Sequence, residues 1–246
     1  SYEREGDVAV VTIDRPERKN AVDNELAARL GEAWDRFEAD DDALVGVLYG
    51  ANGTFSAGAD LQAMDLEDGP EGWLGFTRTE VSKPTIAAIE GHCVAGGLEM
   101  ALWCDLRVAA ESATFGCFER RFGVPLVDGG TQRLPRVVGL GRALELILTG
   151  RALDADEAKE WGLVNRVVED GDARSAAVEL GELIAGFPQE TVRTDRAAVY
   201  DGLGATLDQG LAAEAWHGSR ALDVASEGAD RFAGGEGRGG EGVPEE

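Results

Sequence analysis

Apolar residues recur along the chain with two periods, and the alternation of these periods indicates the fold class. Apolar, β-rich runs at Val8–Ile13, at residues 44–49 and at Thr85–Ile89 are bounded by turn residues and predict buried strands. After Asn24, the expected N-cap of a helix, apolar residues return at helical spacing. Strands that alternate with helices predict an α/β protein whose strands pair in parallel.

Further helices are predicted from the apolar pattern in the middle of the chain. Residues 94–104 are too apolar for a surface helix, so we expect a buried one. Two more helices are expected over residues 142–148 and 154–161. Asp154 is the predicted N-cap of the second, and Glu157 three residues later fits a capping box.

The last part of the chain differs from the rest. From residue 172 to about 224 the pattern is helical throughout, and the composition changes from mixed α/β to all-helical near Phe187 and Pro188. Residues 234–246 are rich in glycine and glutamate, and we expect them to be flexible. No apolar run approaches 18 residues and the N-terminus lacks a signal-like apolar stretch, which predicts a cytoplasmic protein without membrane spans.

The formal net charge of −24 is unusual for such a chain. Phosphates and anionic lipid surfaces would be repelled, so the charge argues against nucleic acid and membranes as partners. Lysine is scarce, with only Lys19, Lys83 and Lys159 among the 23 basic residues. Acidic excess with scarce lysine predicts a halophilic protein, kept soluble in concentrated salt, and the alternative explanation is the codon bias of a high-GC genome.

The cysteine and histidine pattern gives no indication of a metal site. Cys93, Cys104 and Cys117 are odd in number and form no C-x-x-C pair, and His92 and His217 are the only histidines. We therefore expect no structural metal and interpret the cysteines as buried, reduced thiols. Cys117 has a second interpretation, as a residue that lines a pocket.

Two glycine-containing turns carry candidate chemistry. One spans residues 55–60, after a predicted strand, and the other spans residues 91–99, where a strand leads into the buried helix. Backbone N–H groups left unpaired in such turns can bind an anion or a developing oxyanion. Neither turn fits a dinucleotide fingerprint or a P-loop, and each alone is also compatible with a tight packing turn.

Two carboxylates lie near the second turn. Glu99 belongs to the otherwise apolar predicted helix, where a carboxylate is costly unless it faces a pocket. Glu119 follows some 20 residues later, and either glutamate alone could be a solvated charge or a structural hydrogen-bond partner. Acid–base chemistry, however, usually needs two groups whose environments separate their pKa values, and this pair would supply them.

Together these segments resemble the crotonase superfamily, which includes enoyl-CoA hydratases and isomerases. The resemblance covers nearly the whole chain, and its motifs keep the family's order and spacing. They are Asp14-Arg15-Pro16 with Asn20-Ala21, Ser56-Ala57-Gly58-Ala59-Asp60, Gly96-Gly97-Leu98-Glu99-Met100-Ala101 with Cys104-Asp105, Phe115-Gly116, Gly129-Gly130-Thr131-Gln132-Arg133-Leu134, Leu148-Thr149-Gly150-Arg151, Trp161-Gly162-Leu163-Val164-Asn165 and Glu227-Gly228.

This resemblance implies an α/β fold built as a crotonase-like spiral of ββα turns over residues 1–188. A C-terminal helical region over residues 189–233 would cover the site and form the trimer contacts, and residues 234–246 would be a flexible tail. The implied assembly is a homotrimer or homohexamer, and the implied substrate is an acyl-CoA thioester. Coenzyme A is then part of the substrate, so no separate cofactor is expected.

The resemblance also implies roles for individual residues. The N–H groups of Ala59 and Gly96 would form an oxyanion hole for the thioester enolate. Glu99 would orient and deprotonate a water, and Glu119 would donate a proton to Cα; the alternative is that each glutamate shares both tasks. The implied CoA contacts are Asp60, Leu61 and Gln62 along the adenine and pantetheine, Arg15, Arg18 and Lys19 near the phosphates, and Ala57. For the basic residues, an ordinary solvated turn is the alternative.

The chain departs from the family's hydratase pattern at Cys117-Phe118-Glu119, where hydratases read Q-P-E, and in the glycine-rich stretch that follows. Leu126 replaces a glycine, which is expected to narrow the pocket, and Asp128 adds a third carboxylate. A third acid resembles the dienoyl-CoA isomerases, although those usually carry aspartate where this chain has Glu99. The other interpretation of Asp128 is an acid that stabilises its own loop. Residues 64–77 are expected to border the acyl pocket and to be mobile.

Hydration of a trans-2-enoyl-CoA to a 3-hydroxyacyl-CoA is the leading prediction for the activity. One alternative is an isomerase that moves a double bond in an enoyl- or dienoyl-CoA, for which Asp128 would be needed. Another is a non-catalytic protein that only binds acyl-CoA, and the presence of Glu119 counts against it.

Overall fold

The computed structural model describes residues 1–236, which fall into two compact units, Ser1–Ala185 and a second that begins at Gly186. The first unit alternates strands with helices, and the second is all-helical. In chain order the first unit contains β1 (Tyr2–Glu5), β2 (Val8–Ile13), α1 (Asn24–Ala39), β3 (Val45–Gly50), β4 (Thr85–Ile89), β5 (His92–Val94), α2 (Gly96–Trp103), β6 (Leu106–Ala110), β7 (Thr114–Gly116), α3 (Gly130–Val138), α4 (Leu140–Thr149), β8 (Leu153–Asp154), α5 (Ala155–Glu160), β9 (Arg166–Val168) and α6 (Ala173–Ala185). The second contains α7 (Gln189–Gly202), α8 (Leu207–Ser219) and α9 (Leu222–Ala233).

A six-stranded sheet in the order β1-β2-β3-β4-β6-β9 runs through the first unit. All neighbours pair in parallel except β1 and β2, so the predicted parallel α/β arrangement is confirmed. Successive side chains of a strand point to opposite faces, and both faces are buried here. Val8 and Val10 pack with Ala177 and Leu180 of α6, whereas Ala9 belongs to a second cluster on the other face.

Successive strands pass between this sheet and a smaller one. β4, β5 and α2 form one ββα turn, and β6, β7 and α3 form the next, with the second strand of each in the sheet β5-β7-β8. Isolated parallel bridges between Val22 and Ala59 and between Ser56 and Cys93 extend this small ladder to the preceding turns. The arrangement is the spiral of ββα turns that the resemblance implies.

Most predicted element positions are confirmed, but two helix starts are wrong. Asp23, not Asn24, is the N-cap of α1, because its side chain accepts a hydrogen bond from the N–H of Leu26 at 3.0 Å. The helix expected from residue 94 begins at Gly96, because Ala95 has φ 53° and ψ −127°, which no helical residue adopts. Residues 92–94 form β5 instead.

The capping box expected at the start of α5 is half right. Asp154 is the N-cap, and its side chain accepts from the N–H of Glu157 at 2.9 Å. The reciprocal bond is not formed, because the Glu157 carboxylate pairs with Arg151 at 2.6 and 2.8 Å. An arginine ion pair at this point supplies a stronger partner than a single backbone N–H.

The second unit is helical, but the continuous pattern predicted over residues 172–224 is broken between its helices. Thr206 starts α8 with a complete capping box to Gln209, and His217 of α8 contacts Asp201 of α7 at 2.7 Å. No helix among residues 1–236 is long and apolar enough to cross a membrane. Of the tail predicted to be flexible, residues 234–246, the part from residue 237 onward lies outside the described residues.

Candidate active site

A cavity of about 320 Å³ lies in the first unit, and both predicted turns contribute to its wall. Its polar side chains are the carboxylates of Asp60, Glu99, Glu119 and Asp128. The remaining wall is largely apolar and includes Leu61, Met64, Leu66, Trp73, Leu74, Phe118, Phe122, Val124, Pro125 and Val127. A concave, mostly apolar site with a few convergent polar groups is the typical form of a small-molecule binding site.

Two backbone amides in the wall of this cavity have no hydrogen-bond acceptor among residues 1–236. Gly96 is the first residue of α2, so its N–H has no acceptor within the helix. In the bridge between residues 22 and 59, the C=O of Gly58 accepts from the N–H of Val22, and the N–H of Asp60 donates to the C=O of Val22, both at 2.8 Å. The N–H of Ala59 takes no part in this pairing. Among residues 1–236 neither Ala59 nor Gly96 donates a hydrogen bond from its amide.

The two amides lie close together because glycines let their backbones approach. A Cβ built on Gly96 would lie 3.5 Å from Ala59 N, and one built on Gly58 would lie 2.5 Å from Gly96 N. At Gly97 a Cβ would lie 2.3 Å from Ser56 O, a contact that no larger residue tolerates. Two adjacent unpaired N–H groups in a largely apolar pocket can hold a developing oxyanion.

Glu99 lies in the first turn of α2 and is 3% exposed. Its Oε1 accepts hydrogen bonds from the N–H groups of Asp128 at 2.9 Å and Gly130 at 2.8 Å, whereas Oε2 takes none from residues 1–236. Burial is the main cause that raises the pKa of Glu99 to about 7, with the charges of Asp128 and Glu119 adding to it and the two backbone bonds opposing it. Glu99 can therefore change its protonation state near neutral pH.

Glu119 lies in a 3₁₀ helix, Phe118–Phe122, and is also buried. Neither of its carboxylate oxygens has a hydrogen-bond partner among residues 1–236. Burial raises the pKa of Glu119, because an unpartnered carboxylate in an apolar wall is poorly solvated. The two glutamates thus share one cavity but differ in their surroundings.

Asp128, the third predicted acid, lies in the same cavity wall and is 2% exposed. Its carboxylate accepts hydrogen bonds from the Thr77 hydroxyl and from the N–H of Leu74 at 3.2 Å. Unlike Glu119, it is therefore held by neighbouring groups of the protein.

The predicted CoA contacts divide into two groups. Ala57, Asp60 and Leu61 line the cavity, whereas Gln62 and the basic residues do not. Asp60 accepts bonds from the N–H of Gln62 at 2.9 Å and from Arg15 at 2.9 Å. Burial opposes ionisation of Asp60, but these bonds outweigh it and hold the pKa of this carboxyl below its usual value.

The basic residues predicted to bind phosphates are partly committed to the protein. Arg15 forms ion pairs with Asp23 at 2.7 Å and with Asp60, which ties the start of α1 to the turn that carries Ala59. Arg18 contacts the side chain of Gln62, and Lys19 is exposed in a left-handed turn. Of the three, Lys19 keeps the most freedom to meet an anion.

The three cysteines are buried and unpaired by disulfides, as predicted. Cys117 does not line the cavity, so its second interpretation is wrong. Burial, with the charges of Glu119 and Glu99, raises the pKa of the Cys117 thiol to about 12, so it stays protonated at neutral pH.

Several residues of the site escaped the sequence analysis. Phe118 and Phe122 flank Glu119 in the cavity wall, and their spacing on one short helix was a signal that could have found them. Thr77, which binds Asp128, lies 51 positions away in the sequence, and no local pattern marks it. Leu126, expected to narrow the pocket, packs against the core and is not part of the cavity wall.

The raised pKa of Glu99 predicts a pH-dependent cost to the fold. The folded state holds this proton up to about pH 7, whereas the unfolded chain releases it near pH 4.5, so stability is lost between these values as pH rises. Glu99→Gln should therefore gain up to roughly 3 kcal/mol over the natural chain on going from pH 4.5 to 8. Urea unfolding at both pH values measures this gain in the free energy of unfolding, with the exposed Glu160→Gln as control. The same difference between Glu99→Gln and the natural chain at both pH values would contradict the prediction.

The ββα spiral with paired amide donors in its cavity defines a protein of the crotonase fold class. The sequence model of the enoyl-CoA hydratase/isomerase family matches residues 3–236. The chain belongs to this family.

Individual relatives agree with this assignment. The chain is 39% identical over 221 residues to the short-chain-enoyl-CoA hydratase of Clostridium acetobutylicum, covering 86% of this chain and 85% of that protein. It is 36% identical over 203 residues to the mevalonyl-coenzyme A hydratase of Aspergillus fumigatus, covering 79% and 75%. It superimposes on the crystal structure of an enoyl-CoA hydratase from Mycobacterium marinum with a TM-score of 0.90 and 37% identity, covering 95% and 94%.

Proposed function

We propose that this chain is an enoyl-CoA hydratase, which adds water to a trans-2-enoyl-CoA and forms a 3-hydroxyacyl-CoA. The observation that carries the proposal is the joint presence of two unpaired amides and two buried glutamates in one cavity. The hydratase names of relatives at up to 39% identity support the same reaction. Acyl-CoA is the substrate, and its coenzyme A moiety makes a separate cofactor unnecessary for this chemistry.

In the proposed mechanism, the thioester oxygen lies between the N–H groups of Ala59 and Gly96. Ionised Glu99 takes a proton from water through Oε2 as the water oxygen bonds to Cβ, and the Cα=Cβ electron pair moves into a thioester enolate. The two amides stabilise the negative charge that forms on that oxygen. Protonated Glu119 then donates its proton to Cα, and exchange with solvent resets both carboxyls.

The environments of the two glutamates support this division of roles. The carboxylate oxygens of Glu119 accept no hydrogen bond from residues 1–236 and burial raises its pKa, which favours its protonated, donor form. Burial also raises the pKa of Glu99, to about 7, so Glu99 is partly ionised at neutral pH. The two backbone N–H groups that hold its Oε1 favour this ionised form and leave Oε2 to face water. Two carboxyls whose surroundings separate their protonation states are the usual basis of paired acid–base catalysis.

The coenzyme A moiety is proposed to run past Ala57, Asp60 and Leu61, which line the cavity. Lys19 and Arg18 would meet its phosphates at the exposed turn. We also propose that the protein is cytoplasmic and assembles as a homotrimer or homohexamer through its C-terminal helical unit. Size measurement in solution tests the assembly.

Incubation with crotonyl-CoA tests the activity. We expect loss of the conjugated-enoyl absorbance and formation of a 3-hydroxyacyl-CoA that mass spectrometry detects as a gain of one water. A panel of enoyl-CoA thioesters of increasing chain length, assayed at low and high salt, defines the preferred substrate. No turnover of any thioester at any salt concentration would overturn the proposal.

Isomerisation of an enoyl- or dienoyl-CoA is the second candidate, because Asp128 adds a third carboxylate to the cavity. An isomerase would convert a 3-enoyl- or dienoyl-CoA without any gain in mass. The same panel, extended to these substrates, separates the two reactions.

We infer from the net charge of −24 that the fold is adapted to concentrated salt. Raising the ionic strength from about 0.01 M to 1 M shortens the Debye length from roughly 30 to 3 Å, which screens repulsion between the surface carboxylates. The melting temperature should therefore rise by several degrees in molar KCl. Calorimetry at both salt concentrations measures it, and an unchanged melting temperature would contradict the inference.

A further inference from the structure

We propose that Asp128 is a positioning residue, which ties the cavity wall at residues 72–77 to the loop that holds Glu99. The inference rests on the proposed hydratase function and adds a role for the third acid, which hydration itself does not use. Asp128 contacts both segments through its carboxylate Oδ1, its backbone N–H and its backbone C=O.

The carboxylate of Asp128 holds one cavity wall. Its Oδ1 accepts from the Thr77 hydroxyl and from the N–H of Leu74 at 3.2 Å. Gly72 packs against the same pair, since a Cβ built there would lie 2.8 Å from Oδ1 and 2.3 Å from the Thr77 Oγ, and its φ is 91°. Trp73 and Leu74, which line the cavity, are therefore fixed on both sides by contacts to Asp128.

The backbone of Asp128 holds the catalytic side. Its N–H donates to Glu99 Oε1 at 2.9 Å, beside the bond from Gly130 at 2.8 Å. Its C=O accepts from Arg133 at 2.9 Å, and the same guanidinium donates to the C=O of Thr77 at 2.6 Å. Asp128, Thr77 and Arg133 thus form a closed ring of hydrogen bonds next to Glu99.

Replacement of Asp128 by asparagine distinguishes a positioning role from a role in proton transfer. Only Oδ1 of Asp128 accepts hydrogen bonds from residues 1–236, so an asparagine of the same shape can keep both bonds through its carbonyl oxygen. An asparagine cannot release or accept a proton as a carboxyl does. A positioning residue therefore tolerates this exchange, whereas a proton-shuttling acid does not.

Four variants test the proposal against the natural chain. Asp128→Asn should keep kcat within about 5-fold, whereas Asp128→Ala should lower it roughly 10- to 100-fold, because a small displacement of a catalytic group is costly. Thr77→Val, which removes only the donor, should lower kcat in the same direction as Asp128→Ala. Thr131→Val is the control for that change, since Thr131 is exposed at the start of α3 and should leave kcat unchanged.

The pH profile adds a readout that simple loss of packing would not move. The charged groups acting on Glu99 in the cavity are Asp128 and Glu119, and removing the charge of Asp128 favours ionised Glu99. In Asp128→Asn the acid limb of kcat/KM should move to lower pH, whereas in Thr77→Val it should stay in place. The exposed Asp156→Asn is the control for a change of net charge.

Hydrogen exchange provides a readout that does not depend on turnover. Peptides covering residues 72–78 and 128–131 should exchange faster in Asp128→Ala and at the natural rate in Asp128→Asn. The N–H of Leu74 donates to Asp128, and the N–H of Gly130 donates to Glu99 in the loop that Asp128 holds. Loss of activity in Asp128→Asn as large as in Asp128→Ala, or unchanged exchange in Asp128→Ala, would overturn the proposal. Absence of turnover in the natural chain would instead overturn the proposed function and leave the exchange result to decide this one.

Discussion

The kcat for enoyl-CoA hydration is expected to fall about 10³-fold when Glu119 is replaced by glutamine. The amide has nearly the same shape as the carboxyl but cannot give a proton to Cα of the enolate. Glu119 has no hydrogen-bond partner among residues 1–236, so the exchange breaks no contact within this part of the chain. KM should change little, because the loss concerns the transition state rather than substrate binding.

Stability separates this catalytic effect from damage to the fold. Burial raises the pKa of Glu119, so its ionisation costs stability as the pH rises through that value. Glu119→Gln removes the cost and should melt at the same or a higher temperature than the natural chain at pH 8. The exposed Glu160→Gln should leave kcat unchanged. A Glu119→Gln protein with natural kcat would exclude Glu119 as the proton donor.

The second large effect is expected at Gly96, since backbone amides cannot be removed by substitution but can be obstructed. A Cβ at this position would lie 3.5 Å from Ala59 N, 3.2 Å from Gly58 Cα and 3.0 Å from a methyl of Leu74. The methyl of Gly96→Ala would thus stand beside the gap between the two donors. We expect kcat to fall between about 10²- and 10³-fold, as when one oxyanion donor is lost.

The fold should survive the Gly96→Ala exchange. Gly96 is not among the residues with positive φ, and it begins a helix that accepts alanine. Gly141→Ala in α4 is the matched control, because a Cβ there meets nothing within 4 Å, and it should keep natural kcat. Steady-state kinetics together with melting curves provide the measurement, and natural kcat in Gly96→Ala would place the thioester oxygen elsewhere.

The sequence predicted site residues correctly where an unusual residue type was needed both for the chemistry and for the local backbone. The glycine-rich turns and the carboxylate in an apolar helix marked Gly96 and Glu99, because such residues are costly unless a site needs them. The spiral itself was implied only by the resemblance to the crotonase superfamily. Strand periodicity placed Val8–Ile13 and Thr85–Ile89 correctly, since both strands are buried between turn signals.

What the sequence could not reveal depends on contacts between distant segments. Arg15 was expected near phosphates, but its ion pair with Asp60 depends on a loop 45 residues away. The bond between Asp128 and Thr77 likewise depends on how residues 72–77 fold over the cavity. Such pairs have no local pattern, because charge and hydroxyl groups on loops fit many partners.

Ala95 shows a different limit. Its φ of 53° is unusual for a residue with a side chain, and it places Gly96 at the start of α2, where the N–H of Gly96 has no acceptor among residues 1–236. Alanine favours helices, so local propensity wrongly continued the helix back to residue 94. The tertiary bond from Ala95 N to Gly116 O at 2.9 Å supports the conformation that propensity opposes.

The bridge between Ser56 and Cys93 has a consequence for how this protein could change over evolutionary time. The two amide donors belong to consecutive turns of the spiral. Backbone hydrogen bonds from Ser56 N to His92 O at 2.9 Å and from Val94 N to Ser56 O at 3.1 Å join these turns. The strand spacing of about 4.8 Å therefore sets the distance between the two donors. Glu119 and Asp128, by contrast, lie on a short 3₁₀ helix and a loop that can vary without altering that spacing. New proton-transfer chemistry could therefore arise while the two amides continue to bind the thioester oxygen in the same way.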